Sequence, residues 1–229
     1  MSVSRATRAA RPVPRPTHAV NVADRDAVEA VRDAIVAAHG QVDALVNVAG
    51  VIQPFVKVAE LGYDQIERVM NVNFWGVVNT CKTFLPLLAE RSEAALVNVS
   101  SMGALAPVPG QSAYGASKAA VKLFTEALYA ELLETKIAVT VVFPGAIATD
   151  ITTNSGVAVP GREAREADGK AAGNITPAPV AGRAIVVAIE KGSPRITIGK
   201  DATGLDRLSR LAPTRAARMI ASKMASLLS

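Results

Sequence analysis

Short apolar, β-branched runs alternate with helical segments along most of the chain, and this alternation restricts the fold more than any other feature. HAVNV (18–22) reads as a strand, and residues 24–39 read as a helix with Asp24 as N-cap and Gly40 just past its end. VDALVNVAG (42–50) is a buried strand that runs into a glycine turn. Helix 63–90, strand 94–101, helix 112–135, strand 137–143, helix 177–191 and strand 195–199 follow. Such an order predicts a parallel sheet with helices on both faces, a doubly wound α/β domain. Residues 150–176 are polar, with Pro160-Gly161 in the middle, and are expected to form a loop over a site.

The segment VNVSSMGALAPVPGQSAYGASK (97–118) carries the chemistry. Tyr114 and Lys118 are four residues apart on a predicted helix and so share one face. A tyrosine has a reference pKa of about 10 and is a poor acid or base near neutrality. A neighbouring ammonium is expected to lower that value. The preceding strand ends at Ser100-Ser101, and parallel strands present their C-terminal ends to the ligand crevice. A serine there can hydrogen-bond the oxygen whose proton Tyr114 handles.

Ser101, Tyr114 and Lys118, at this spacing and within AYGASK, resemble the catalytic triad of the short-chain dehydrogenase/reductase family. LVNVAG (45–50) is similar to the family's NNAG turn, with Val48 in place of the second Asn. VNFWG (72–76) resembles the helix that carries a fourth catalytic residue, here Asn73, and PGAIAT (144–149) resembles the PGxxxT segment at the nicotinamide. The resemblance spans residues 18–200. It implies hydride transfer between the nicotinamide of NAD or NADP, a choice left open, and a small alcohol or carbonyl substrate. Tyr114 would be general acid/base, Ser101 would polarise the substrate oxygen, Lys118 would hold the ribose and lower the Tyr114 pKa, and Asn73 would anchor a water. Asn47, Ala49 and Gly50 would line the ribose, Asn21 and Val22 the adenine, and Pro144, Gly145, Ile147 and Thr149 the carboxamide side. A homodimer or homotetramer built on helices 63–90 and 112–135 is also implied.

The family's opening strand, TGxxxGxG turn, helix and second strand have no counterpart, since no Gly-rich turn precedes Gly40. Such glycines let backbone N–H groups approach a pyrophosphate at a helix N-terminus. The expected fold is therefore Rossmann-like but lacks its first two strands. HAVNV is expected to slide in beside VDALVNV and complete a five-stranded sheet. A chain whose true start lies upstream, or a non-catalytic remnant that keeps the family's dimer surface, are the two readings of this loss.

Composition excludes several other classes. Half the residues are apolar and a fifth are charged, which suits one globular domain, and no run of about 18 apolar residues exists. The net charge of +5 is concentrated at the ends: +4 in residues 1–17 and +4 in 202–229, against −3 in between. The body therefore has no basic stripe for nucleic acid. Residues 1–17, with four Arg and three Pro, are expected to be a disordered head. The 201–229 tail has Leu205, Leu208, Leu211, Met219, Ile220, Leu227 and Leu228 at near-helical spacing, with Pro213 splitting it into two helices. Packing of this tail on its own domain is favoured over contact with an anionic membrane surface. The single cysteine, Cys81, reads as a buried structural thiol in a cytoplasmic protein. His18 and His39 make no metal site between them.

Overall fold

The computed structural model describes residues 17–158 and 175–225. The expectation for the head, most of the 150–176 loop, and Leu227 and Leu228 lie outside those residues.

Helix α1 (Arg25–His39) starts where Asp24 accepts from the Ala27 N–H at 3.1 Å and ends at Gly40, whose φ of 77° suits glycine. Strand β1 (Ala44–Asn47) follows, then α2 (Tyr63–Met70), a π-turn (Asn71–Trp75) and α3 (Gly76–Ala89). Strand β2 (Ala94–Val99), helix α4 (Ser112–Glu131) and strand β3 (Ile137–Pro144) form the centre of the domain. Beyond them come β4 (Ile147–Ala148), α5 (Ile151–Ser155), β5 (Thr176–Pro177), α6 (Ala178–Glu190), β6 (Arg195–Ile198), α7 (Lys200–Leu211) and α8 (Pro213–Lys223). The main sheet is parallel, in the order β1-β2-β3-β6, and β4 and β5 form a separate two-residue parallel ladder.

Strands β2 and β3 are buried on both faces, which is why their sequences read as unbroken apolar runs. On one face Val77, Cys81 and Leu88 of α3 and Val121 and Leu128 of α4 pack on Leu96 and Val139. On the other, Ala181, Ile185 and Ile189 of α6 pack on Val97, Val142 and Ile198. Helices therefore cover both faces, as the alternation predicts. The tail forms two helices that meet at Ala212-Pro213, and its apolar side packs inward: Leu205, Leu208, Ala216, Met219 and Ile220 cover Met102 and Ala106.

The HAVNV expectation is overturned. Residues 18–22 form no strand, and among the described residues the sheet has four strands rather than five. Asn21 folds its own backbone over: its side chain accepts from the Ala23 N–H at 3.1 Å and its carbonyl from the Asp24 N–H at 3.0 Å. Asn79 of α3 donates to the Val22 carbonyl at 3.0 Å, and the Val22 side chain lies so close over Gly76 that a Cβ there would sit 2.7 Å from it. These contacts draw the segment onto α3 and leave the outer edge of β1 unpaired among the described residues, with Val46 39 % exposed.

Candidate active site

The C-terminal ends of β1, β2 and β3 open onto one edge of the sheet, and the side chains singled out in 97–118 converge there. Ser101 is extended, with φ of −165°, just past β2, and its Oγ accepts from the Gly103 N–H at 3.0 Å to start a single 3₁₀ turn. Tyr114 stands in the first turn of α4, its ring and the Ser101 hydroxyl both lying beside Gly103, where a Cβ would sit 3.5 Å from the ring and 3.4 Å from Oγ. Lys118, one turn later and 4 % exposed, donates from Nζ to the Val99 carbonyl at 3.0 Å. Gly50 faces both Lys118 and Asn73: a Cβ there would come within 3.3 Å of the lysine Nζ and of the asparagine Oδ1. The glycine thus keeps an approach to the ammonium open.

Asn73 sits inside the π-turn and is fully buried. Its Oδ1 accepts from the Val51 N–H at 2.8 Å, and its Nδ2 donates to the Val51 carbonyl at 2.9 Å and to Ser117 Oγ at 3.0 Å. Ser117 in turn donates to the Tyr114 carbonyl at 2.7 Å. The uninterrupted helix expected over 63–90 is therefore broken by a π-turn at the residue that must reach sideways. Because these bonds engage its amide, the Asn73 side chain braces the backbone of the Val51 turn and α4.

The electrostatics also differ from expectation. Burial pushes the Tyr114 phenol above its ordinary pKa, and the hydrogen bond from Ser101 opposes that rise. Burial also brings Lys118 down to about 8, with its Nζ turned onto a carbonyl. Tyr114 therefore holds its proton at neutral pH.

The 144–149 turn takes its shape from residues the sequence did not flag. The Gly145 N–H donates to the Ile198 carbonyl at 2.8 Å, and the Ala146 N–H to Asp201 Oδ2 at 2.8 Å. A side chain at Gly145 would run into the Asp201 carboxylate, whose Oδ1 is buried and has no hydrogen-bond partner among the described residues. Pro144 ends β3, Ile147 pairs with Thr176, and Thr149 is exposed. Ser155 of α5 accepts from the Ile52 N–H at 3.0 Å, and Arg68 donates to the Ser155 carbonyl at 3.0 Å, tying this side to the turn after β1.

Other expected residues are placed differently. Asn47 donates to Asn98 Oδ1 at 2.8 Å and accepts from Thr80 Oγ1 at 2.8 Å, so its side chain joins two strands and α3 rather than facing a ligand. Ala49, exposed, and Gly50 can offer backbone. Val22 is tied to Gly76 and Asn79 and Asn21 to its own turn, and no hydrogen bond among the described residues joins them to the Ser101–Lys118 group. Cys81 is buried, its thiol pushed up to about 11 by burial, and is unfit as a nucleophile. No group of three His, Cys, Asp or Glu able to hold a metal occurs among the described residues. None of their helices is long and apolar enough to cross a membrane. A groove of about 660 Å³ runs between the 103–112 loop, Ala116 and Ala119 of α4, and Ala217 and Arg218 of α8. Tyr114 does not line it.

Residues 9–158 match the sequence profile described as short chain dehydrogenase. A Mycobacterium tuberculosis protein named as the oxidoreductase SadH is 38 % identical over 212 residues, which cover 90 % of this chain and 75 % of that one. The crystal structure of a Burkholderia phymatum short chain dehydrogenase/reductase in complex with NAD superposes with a TM-score of 0.74 at 25 % identity, covering 86 % of this chain and 75 % of that one. A short chain dehydrogenase of Burkholderia cenocepacia in complex with NADP shares the fold, with a TM-score of 0.69 at 23 % identity over 92 % of this chain and 79 % of its own.

Proposed function

This chain belongs to the short-chain dehydrogenase family, and on that footing we propose that it transfers hydride between the nicotinamide of NAD or NADP and a small alcohol or ketone. The observation that carries the reading is the Tyr114 phenol, beside the Ser101 hydroxyl and still protonated at neutral pH, with Lys118 buried one turn away beneath a glycine.

The site fits the nicotinamide–ribose half of such a cofactor. Gly50 leaves space over the Lys118 ammonium where a Cβ would intrude, and the lysine offers a desolvated donor to ribose hydroxyls. Ile147 and Thr149, on the turn shaped by Asp201, would hold the carboxamide, with Pro144 and Gly145 against the ring. When bound, the cofactor supplies or accepts the hydride. The chain's own residues manage the oxygen. Ser101 Oγ, beside the phenol, would share the substrate oxygen with it and polarise the C–O bond. Tyr114 would give its proton to that oxygen in reduction and take it back in oxidation. In reduction the raised pKa keeps the acid form available; in oxidation the phenolate is scarce near neutrality, so oxidation should speed up as pH rises.

The family relationship also supports self-association. Leu123 and Tyr129 of α4 and Tyr63 and Trp75 of the α2–α3 region are exposed, and together they would supply the apolar face for a second copy.

Titration with NADH and NADPH, followed by cofactor fluorescence, tests the proposal. Micromolar binding of either, with turnover of simple ketones that Tyr114→Phe removes, is the expected result. Absence of binding up to millimolar concentration of both would overturn it.

A further inference from the structure

Backbone N–H groups in the first turn of a helix lack intrahelical partners and are usually met by the side chain of the residue just before the helix. For α4 that residue is Gln111, and its side chain makes no such bond. The cap comes instead from Gln53, 58 residues earlier and 1 % exposed. Its Oε1 accepts from the Ala113 N–H at 2.7 Å and from the Tyr114 N–H at 3.1 Å. Its Nε2 donates to the Gly110 carbonyl at 3.0 Å, in the loop that leads into the helix. Gln111 completes the exchange, its Nε2 donating to the Gln53 backbone carbonyl at 2.8 Å. The two residues before Gln53 are equally constrained, Val51 by Asn73 and Ile52 by Ser155.

We propose that Gln53 is a positioning residue for Tyr114, and that Gln111 is its reciprocal partner. This rests on the reading of Tyr114 as the group that transfers the proton. Gln53 grips the backbone N–H of Tyr114 itself, so the phenol is separated from the fixed point only by the residue's own side-chain torsions. Without that acceptor, two buried N–H groups would have no partner, and the first turn of α4 would relieve them by opening. Tyr114 lies in that turn, whereas Lys118 is held independently by the Val99 carbonyl. Removal of the cap should therefore disturb proton transfer and leave the ribose-facing ammonium in place.

The test uses Gln53→Met, which keeps the length of the side chain and removes its hydrogen bonds, beside Gln53→Glu, which keeps the acceptor. In the Met variant kcat should fall by about 10- to 100-fold, the scale for an ångström-sized misplacement of a reacting group. KM for the cofactor should stay within about twofold, because Lys118 is untouched. The Glu variant should recover most of kcat. Amide exchange at Ala113 and Tyr114 should rise at least ~10-fold in the Met variant, with Val121 unchanged. Wild-type kcat and exchange in Gln53→Met would overturn the inference, as would equal losses in the Met and Glu variants. If Gln53→Met does not fold, Gln111→Leu removes the partner's bond alone. It should lower kcat by about 3- to 10-fold at constant KM, and an unchanged kcat would again overturn the idea. A wild-type chain without turnover would count against the oxidoreductase reading, while the exchange rates would still decide whether Gln53 holds the Tyr114 turn.

Discussion

On the Tyr114 side of the site Asn73, Ser117, Lys118 and Gln53 are each 4 % exposed or less, and every one is hydrogen-bonded. The opposite wall, the 144–149 turn, has Ala146, Ala148 and Thr149 exposed and hangs on a few backbone contacts and the Asp201 carboxylate. The contrast suits the chemistry proposed above. A proton moves only over hydrogen-bond distance, so its donor must be placed before substrate arrives. A wall that holds a flat ring can adjust as the ring arrives, at little cost to the barrier. Folding has therefore concentrated rigidity on one side.

Four measurements would sharpen or break this contrast. The largest effect is expected on the rigid side: Tyr114→Phe should lower turnover by about 10³-fold, while cofactor affinity by fluorescence titration stays within about twofold. A loss below tenfold would mean that the phenol is not the proton carrier.

Next in size is the pH dependence of stability. Lys118 falls from 10.5 in the unfolded chain to about 8 in the folded one. Between those values the unfolded chain holds the extra proton, so the penalty of burying the cation is present below pH 8 and fades as pH rises. Urea midpoints should thus correspond to a gain of about 1–2 kcal/mol from pH 8 to 9.5, below the range where Tyr114 titrates. Lys118→Met should flatten that slope, and an identical slope in both proteins would show that the lysine is not desolvated.

A smaller effect is expected on the open side. Gly145→Ala should raise the cofactor KM by about tenfold through collision with Asp201, and adding Asp201→Ala should restore most of it. Additive losses in that cycle would dissociate the turn from the carboxylate. Smallest of all, Ser155→Ala removes the acceptor of the Ile52 N–H that links the two sides. It should cost about 1 kcal/mol in thermal melts with kcat unchanged, and a kcat loss would show the two sides to be mechanically coupled.

The sequence alone determined the fold class and which residues gather at the candidate site. Period-two and helical patterns are local, so β1, β2, β3, β6 and the helices between them were legible. The spacing of Ser101, Tyr114 and Lys118 was equally plain, because one strand end and one helix face define it. Asp24 and Gly40 announced the ends of α1 for the same reason. HAVNV misled because a short apolar run says nothing about its partner: Asn79 and Gly76, on a helix more than fifty residues away, captured it. The π-turn at Asn73, the exchange between Gln53 and Gln111, and the hold of Asp201 on the 144–149 turn were likewise absent from any local pattern. Each is a hydrogen bond between segments far apart in the chain, and only the packed core decides which buried donor meets which acceptor. The phenol was no different, since its raised pKa comes from burial, which the tertiary structure alone supplies.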